Sequence, residues 1–170
     1  MKRIFLLLFL LVTMTVFSQT VNQRIYDNKS GKEILLGKCT KQGLKLSPFN
    51  EWFDKGYESY ELQWDVLSNS KKYLNENLKI VVIFGTWCDD TQEQLPRFMK
   101  VMDNIGYTPD MLELIAVDRT KSAGTIDISS YNVKQIPTFI FFKNGKELGR
   151  IIESPRSTME KEIISILKKQ

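Results

Sequence analysis

The chain contains no histidine, and its 170 residues include only two cysteines, Cys39 and Cys88. Without an imidazole, a cysteine–histidine hydrolase, a histidine-activated thiol and a Cys/His zinc site are all excluded. Two sulfurs are too few for a disulfide-stapled scaffold, so burial must hold the fold together. Internal repeats and low-complexity tracts are also missing, and the length supports one domain with a real core. The apolar stretch Ile4 to Phe17 has 14 residues, short of the roughly 20 of a bilayer span. Basic residues are scattered, and Lys168-Lys169 suits a helix C-terminus better than a polyanion site. A formal charge of +4 therefore makes no case for nucleic acid.

Acids are absent from residues 1–18, where Lys2 and Arg3 precede the apolar run and small or polar residues follow it. That is the anatomy of a secretory signal peptide cleaved after Ser18, with an uncleaved anchor as the alternative. Cleavage lowers the formal charge by two, to about +2. No cysteine follows the run, which speaks against a lipoprotein. Export implies an oxidising compartment in which thiols meet disulfides.

Residues 19–46 read as irregular or strand-like, with a turn at "DNKSGKE". Ser47 and Pro48 then read as N-cap and first position of a helix. Phe53, Tyr57, Tyr60, Trp64, Leu67 and Leu74 recur at helical spacing to about residue 76, with a break expected near Gly56. "KIVVIF" (79–84) is a strand covered on both faces. The apolar positions Leu95, Phe98, Met99, Met102 and Ile105 predict a helix from Cys88 to Gly106, kinked by Pro96. "MLELIAVD" is the next strand, and "SAGTIDISSYNV" a loop with a short helix. "PTFIFF" and "ELGRII" form a hairpin through Asn144-Gly145. Ser157 with Glu160 predicts a capping box for a last helix. The order is a helical preamble followed by β-α-β-α-β-β-α.

That order, with "TWC" at the first strand-to-helix junction, Pro96 in the following helix and "IPTFIFFKNGKELGR" near the end, resembles the thioredoxin family over about residues 70–170. More narrowly, "GTWCDDTQEQLPRF", "IPTFIFFKNGKELGRIIESP" and the upstream "EWF…Y" resemble a secreted bacterial group with a Trp-Cys-x-Asp-Ser/Thr motif. The resemblance implies an α/β thioredoxin-like fold, with a central mixed sheet flanked by helices and an N-terminal helical extension. With the signal peptide (1–18) read above, the chain divides into that segment, an extension packing on the domain (19–69) and the thioredoxin-like domain (70–170). The resemblance makes Cys88 the attacking cysteine, Trp87 its neighbouring tryptophan and Pro137 the cis-proline opposite, with Ile136 presenting backbone to a substrate. Two departures stand out. Thr91 occupies the resolving-cysteine position, and Val82 the position of a buried acid that would serve that second sulfur.

In such a fold Cys88 starts a helix, where free backbone N–H groups and the macrodipole favour a thiolate. Thr91, one turn on, is placed to donate to the sulfur anion. Asp89 and Asp90 oppose ionisation. Cys39 has three open readings: a distal resolving thiol for Cys88, a structural residue, or a partner in an interchain disulfide. Glu153 and Arg150 are expected near the cis-proline rim, where Glu153 is a candidate substrate contact.

The expected function is thiol–disulfide exchange through the single motif cysteine, in the periplasm or outside the cell. The alternative is a redox-inactive module that binds extended peptides. Expected partners are protein thiols or disulfides, or extended peptide segments, with no nucleic acid and no membrane after signal cleavage. No cofactor or metal is expected.

Overall fold

A computed structural model describes residues 20–169. The expected signal segment, 1–18, lies outside these residues. The fold is built on a six-stranded mixed sheet in the order β1-β2-β4-β3-β5-β6. Its strands are β1 (Gln23–Asp27), β2 (Lys32–Cys39), β3 (Leu78–Phe84), β4 (Leu112–Ala116), β5 (Thr138–Lys143) and β6 (Lys146–Ile152). Only β3 and β4 run parallel; the other neighbours are antiparallel.

The sequence of β3 explains its central place. Successive side chains alternate between faces. Ile80, Val82 and Phe84 enter one apolar cluster, while Val81 and Ile83 enter another on the opposite face. A strand apolar on both sides must be covered on both. On the first face the cover is helical: α2 (Asn50–Ser59), α4 (Asp89–Ile105) and α5 (Met159–Leu167), with one-turn helices α1 (Lys41–Leu44) and α3 (Trp64–Leu67). On the second face the segment after β4 supplies Val117, Ala123, Ile126, Ile128 and Ile136, and its only helical feature is a 3-10 turn at Ser129–Tyr131.

The helix α4 buries Leu95, Phe98, Met99, Met102 and Ile105, the stripe its periodicity marks, and Phe98 packs 4.7 Å from the Phe139 ring. It ends at Gly106, whose φ of 85° suits a residue without a Cβ. The β5–β6 hairpin turns through Asn144 and Gly145, both at positive φ (50° and 77°), as a tight twisted turn requires.

The strand-like reading of residues 19–46 takes the form of a β1–β2 hairpin, and β2 pairs with β4 through Gly37↔Ala116, Lys38↔Ile115 and Cys39↔Leu114. Three local expectations are corrected. The first long helix starts at Asn50, not Pro48; the Ser47–Pro48 bond is cis, and Phe49 stands at the cap with no side-chain oxygen to offer. That helix runs through Gly56. A Cβ there would lie 3.0 Å from Pro96 Cγ, so the missing side chain lets α2 approach α4. The break comes instead at residues 60–63. Finally, α5 is capped by Thr158, whose Oγ1 accepts from the Lys161 N–H at 3.3 Å. One residue of shift takes Glu160 out of capping range. It is fully buried and accepts from the Tyr60 hydroxyl (2.8 Å) and the Gln63 N–H (3.2 Å), tying the end of α2 to α5.

Candidate functional site

The turn Gly85–Cys88 joins β3 to α4 and is fixed atom by atom. A Cβ on Gly85 would sit 2.7 Å from the Trp87 indole, so only glycine lets that ring fold back over the chain. Thr86 is buried, and its Oγ1 accepts from the Leu35 N–H of β2 at 3.1 Å. Its carbonyl accepts from Gln92 Nε2 at 2.8 Å. The Cys88 N–H donates to the Gly85 carbonyl at 3.0 Å, and Trp87 Nε1 donates to the Val117 carbonyl at 2.9 Å.

Held this way, Cys88 is the N-cap residue of α4 in extended conformation (φ −97°, ψ 127°), half-buried and free of any disulfide. Its thiol points to the Ile136 carbonyl oxygen, 3.6 Å away. The following Ile136–Pro137 bond is cis. The end of β6 supports this loop. Glu153, at φ 57°, donates its N–H to the Pro137 carbonyl at 2.7 Å, and its carboxylate accepts from Gln135 Nε2 at 2.6 Å. Cys88, Trp87, Ile136, Pro137 and Glu153 therefore share one end of the sheet.

Thr91 is fully buried, and its Oγ1 accepts from the Gly85 N–H at 3.4 Å. Its hydroxyl is engaged with the turn backbone. Val82, at the position of the missing acid, is fully buried among apolar side chains. Asp89 and Asp90 are exposed. Arg150 is drawn away from the rim: its guanidinium pairs with Glu147 and donates to the Tyr131 carbonyl at 2.9 Å.

Cys39 is not brought to Cys88. It lies level with Leu114 of β4, which lies level with Val82 of β3. Cys39 thus stands two strand spacings, about 9.5 Å, from Val82, and Cys88 lies six residues farther along, beyond the end of β3. The two sulfurs also serve opposite faces, Cys39 inside the helical cluster and Cys88 against the other. Cys39 is 5% exposed, donates to the Gly37 carbonyl at 3.4 Å, and burial pushes its thiol up to about 12. A concavity of about 770 Å³ opens beside it, lined by Lys38, Lys79, Tyr107 and Phe142 among others, and Cys88 is not in that lining.

Two residues at the Cys88 end escaped the sequence reading. Arg119 lies over the Trp87 ring, 4.6 Å from its centroid. Its Nη2 and Nε donate to Asp27 Oδ2 at 2.8 and 2.9 Å, and Nε also reaches Oδ1 at 3.1 Å. Asp27, at the tip of the β1–β2 hairpin, further accepts from the Ser30 hydroxyl at 2.6 Å. The Arg119 hydrogen bond, with that of Ser30, holds its carboxyl well below the usual carboxylate range. A signal for Arg119 was present in the register. Phe84 and Ala116 are partners across parallel strands, and Trp87 and Arg119 each stand three residues beyond them. Residues just past the carboxyl ends of parallel strands line one crevice.

A free, half-buried cysteine starting a helix opposite a cis-proline on a mixed sheet defines a thioredoxin-fold thiol protein. Comparison with known proteins agrees: the Thioredoxin family model matches residues 65–169. The chain belongs to the thioredoxin family. It is 30% identical over 91 residues to Thioredoxin H9 of Arabidopsis thaliana, covering 52% of this chain and 61% of that one. It is 32% identical over 76 residues to the chloroplastic Thioredoxin Y of Oryza sativa subsp. japonica, covering 45% and 42%. The chain thus spans less than two thirds of the length of these two relatives. A crystal structure of a protein of unknown function from Pseudomonas aeruginosa shares the fold, with a TM-score of 0.51, 16% identity, and coverage of 73% of this chain and 84% of that one.

Proposed function

We propose that this protein is an exported thiol–disulfide exchange protein working through Cys88 as its only exchanging sulfur. The observation that carries the reading is the Cys88 thiol, half-buried at the start of α4 and 3.6 Å from the Ile136 carbonyl. The unpaired N–H groups of the first helical turn favour negative charge at that sulfur. In the reaction Cys88 loses its proton to solvent and attacks a disulfide R–S–S–R′. A Cys88–S–S–R bond forms as the S–S bond breaks, and R′–S⁻ leaves and takes up a proton. A second thiolate, from the substrate or a small thiol, then attacks the mixed disulfide and returns Cys88 as a thiolate. Sulfur–sulfur bonds are conserved in each step. An extended substrate pairs its backbone with the chain at Ile136, with Trp87 and Glu153 as the flanking contacts.

Export rests on the opening 18 residues, and the monothiol character on Thr91 and Val82. Both features accord with the secreted Trp-Cys-x-Asp-Ser/Thr group. Cell fractionation with N-terminal sequencing is expected to recover chain beginning at Gln19 outside the cytoplasm; full-length chain in the cytoplasm would refute this.

A second reading is favoured by Thr91, whose buried hydroxyl serves the turn backbone: a redox-inactive module in which the Pro137 face binds peptides and Cys88 is residual. Incubation with glutathione disulfide separates the two. Exchange predicts a mixed disulfide at Cys88 that is absent from Cys88→Ser, which has no sulfur there. An inert Cys88, with partner binding unchanged in Cys88→Ser, would favour the binding module.

A further inference from the structure

We propose that Arg119, held in place by Asp27, is a positioning residue that poises Cys88 for attack, so that the N-terminal hairpin is a working part of the exchange site. This rests on the exchange reading above. Arg119 stands over the Trp87 ring, 4.6 Å from its centroid, and the neighbour of Trp87 in the chain is the reacting cysteine. A lone arginine on a loop would sample many rotamers; the bidentate Asp27 carboxylate and the indole face fix this guanidinium instead. Asp27 is itself 8% exposed and anchored by the hydroxyl and N–H of Ser30, so the fixed point belongs to the hairpin rather than to the loop. The Asp27 hydrogen bond chiefly holds Arg119 in its charged form, with the charges of Asp27 and Cys88 adding to it.

The surroundings explain why such a cation is needed. Cys88 is followed directly by Asp89 and Asp90 in the first turn of α4, two acids that oppose a sulfur anion. Asp27 offsets part of the guanidinium's charge, so the net help to the sulfur is that of a dipole and is modest. In the chemical step the Cys88 proton goes to solvent, the new S–S bond forms as the substrate's S–S bond breaks, and Arg119 exchanges no atom or electron.

The test is alkylation of the full chain by neutral iodoacetamide from about pH 5 to pH 10, with the Cys88 adduct quantified by peptide mass spectrometry. In Arg119→Gln the pH of half-maximal rate is expected to rise by about half to one unit, a threefold to tenfold slowing below it. The rate on the high-pH plateau stays that of the wild type. Arg119→Lys, which keeps the charge but loses the fork and the stack, is expected to shift the profile in the same direction by less. An unshifted profile in both variants overturns the proposal while leaving the exchange reading intact. A drop equal at every pH also overturns it, assigning Arg119 to support of the turn alone. Should Arg119→Gln fail to fold, Arg119→Lys decides by the same criterion. A wild-type Cys88 that is inert at every pH overturns both.

Discussion

The end of β2 and the turn beyond β3 each carry one cysteine, and the sheet puts them to opposite uses. Cys39 lies within a strand, sealed under the helices, and burial raises its thiol to about 12. Cys88 lies just past a strand, at a helix start, half-exposed and opposite the Ile136 carbonyl. The side chains are identical, so the difference is one of address. A sulfur inside a strand meets apolar neighbours on every side, whereas one beyond the strand's carboxyl end meets backbone N–H groups, water and substrate.

The comparison breaks most visibly if a second sulfur is placed beside Cys88. Position 91 stands one helical turn away, and the mature Thr91→Cys variant is expected to close a disulfide between Cys88 and the introduced sulfur under mild oxidation, read as the loss of two free thiols. Failure to close it would mean that α4 does not bring position 91 within reach of the Cys88 sulfur. A smaller effect tests the support of the turn. Thr86→Val leaves the Leu35 N–H without its acceptor and should cost about 1–3 kcal/mol in denaturant unfolding. It should also slow Cys88 alkylation, because the turn loses its tie to β2. Unchanged stability would remove that tie from the explanation.

The smallest effect concerns Cys39. Its folded value, about 12, exceeds the ordinary 9.0. Burial of the neutral thiol therefore contributes stability that is fully present below about pH 9 and is lost as pH rises toward 12. Cys39→Ala should flatten the alkaline limb of the stability curve relative to wild type. An identical slope in both proteins would show that the thiol is not sealed.

Much of the frame was legible because its signals are local. The apolar run of β3, the stripe of α4 and Asn144-Gly145 each name their element without reference to the rest of the chain. Local signals that compete were misplaced by a residue or two. Ser157 and Thr158 are adjacent and both suit a cap; the fold takes Thr158 and buries Glu160 against Tyr60 and Gln63. Gly56 looks like a helix breaker, but its purpose is contact with Pro96 forty residues away. Within the site, Cys88 and Pro137 could be read from motif context. Arg119, Asp27 and the Thr86–Leu35 bond could not, since each depends on register between strands distant in sequence. The fate of Cys39 was equally hidden, because spacing along the chain says nothing about which face of a sheet a side chain takes.

The most direct test is to treat the folded wild-type protein with glutathione disulfide, map every sulfur by mass spectrometry, and repeat after unfolding. The expected result is one glutathione adduct on Cys88 in the native protein, with Cys39 a free thiol that becomes modified only on unfolding. A Cys39–Cys88 bridge, or a native adduct on Cys39 with Cys88 untouched, would contradict the assignment of exchange to Cys88 alone.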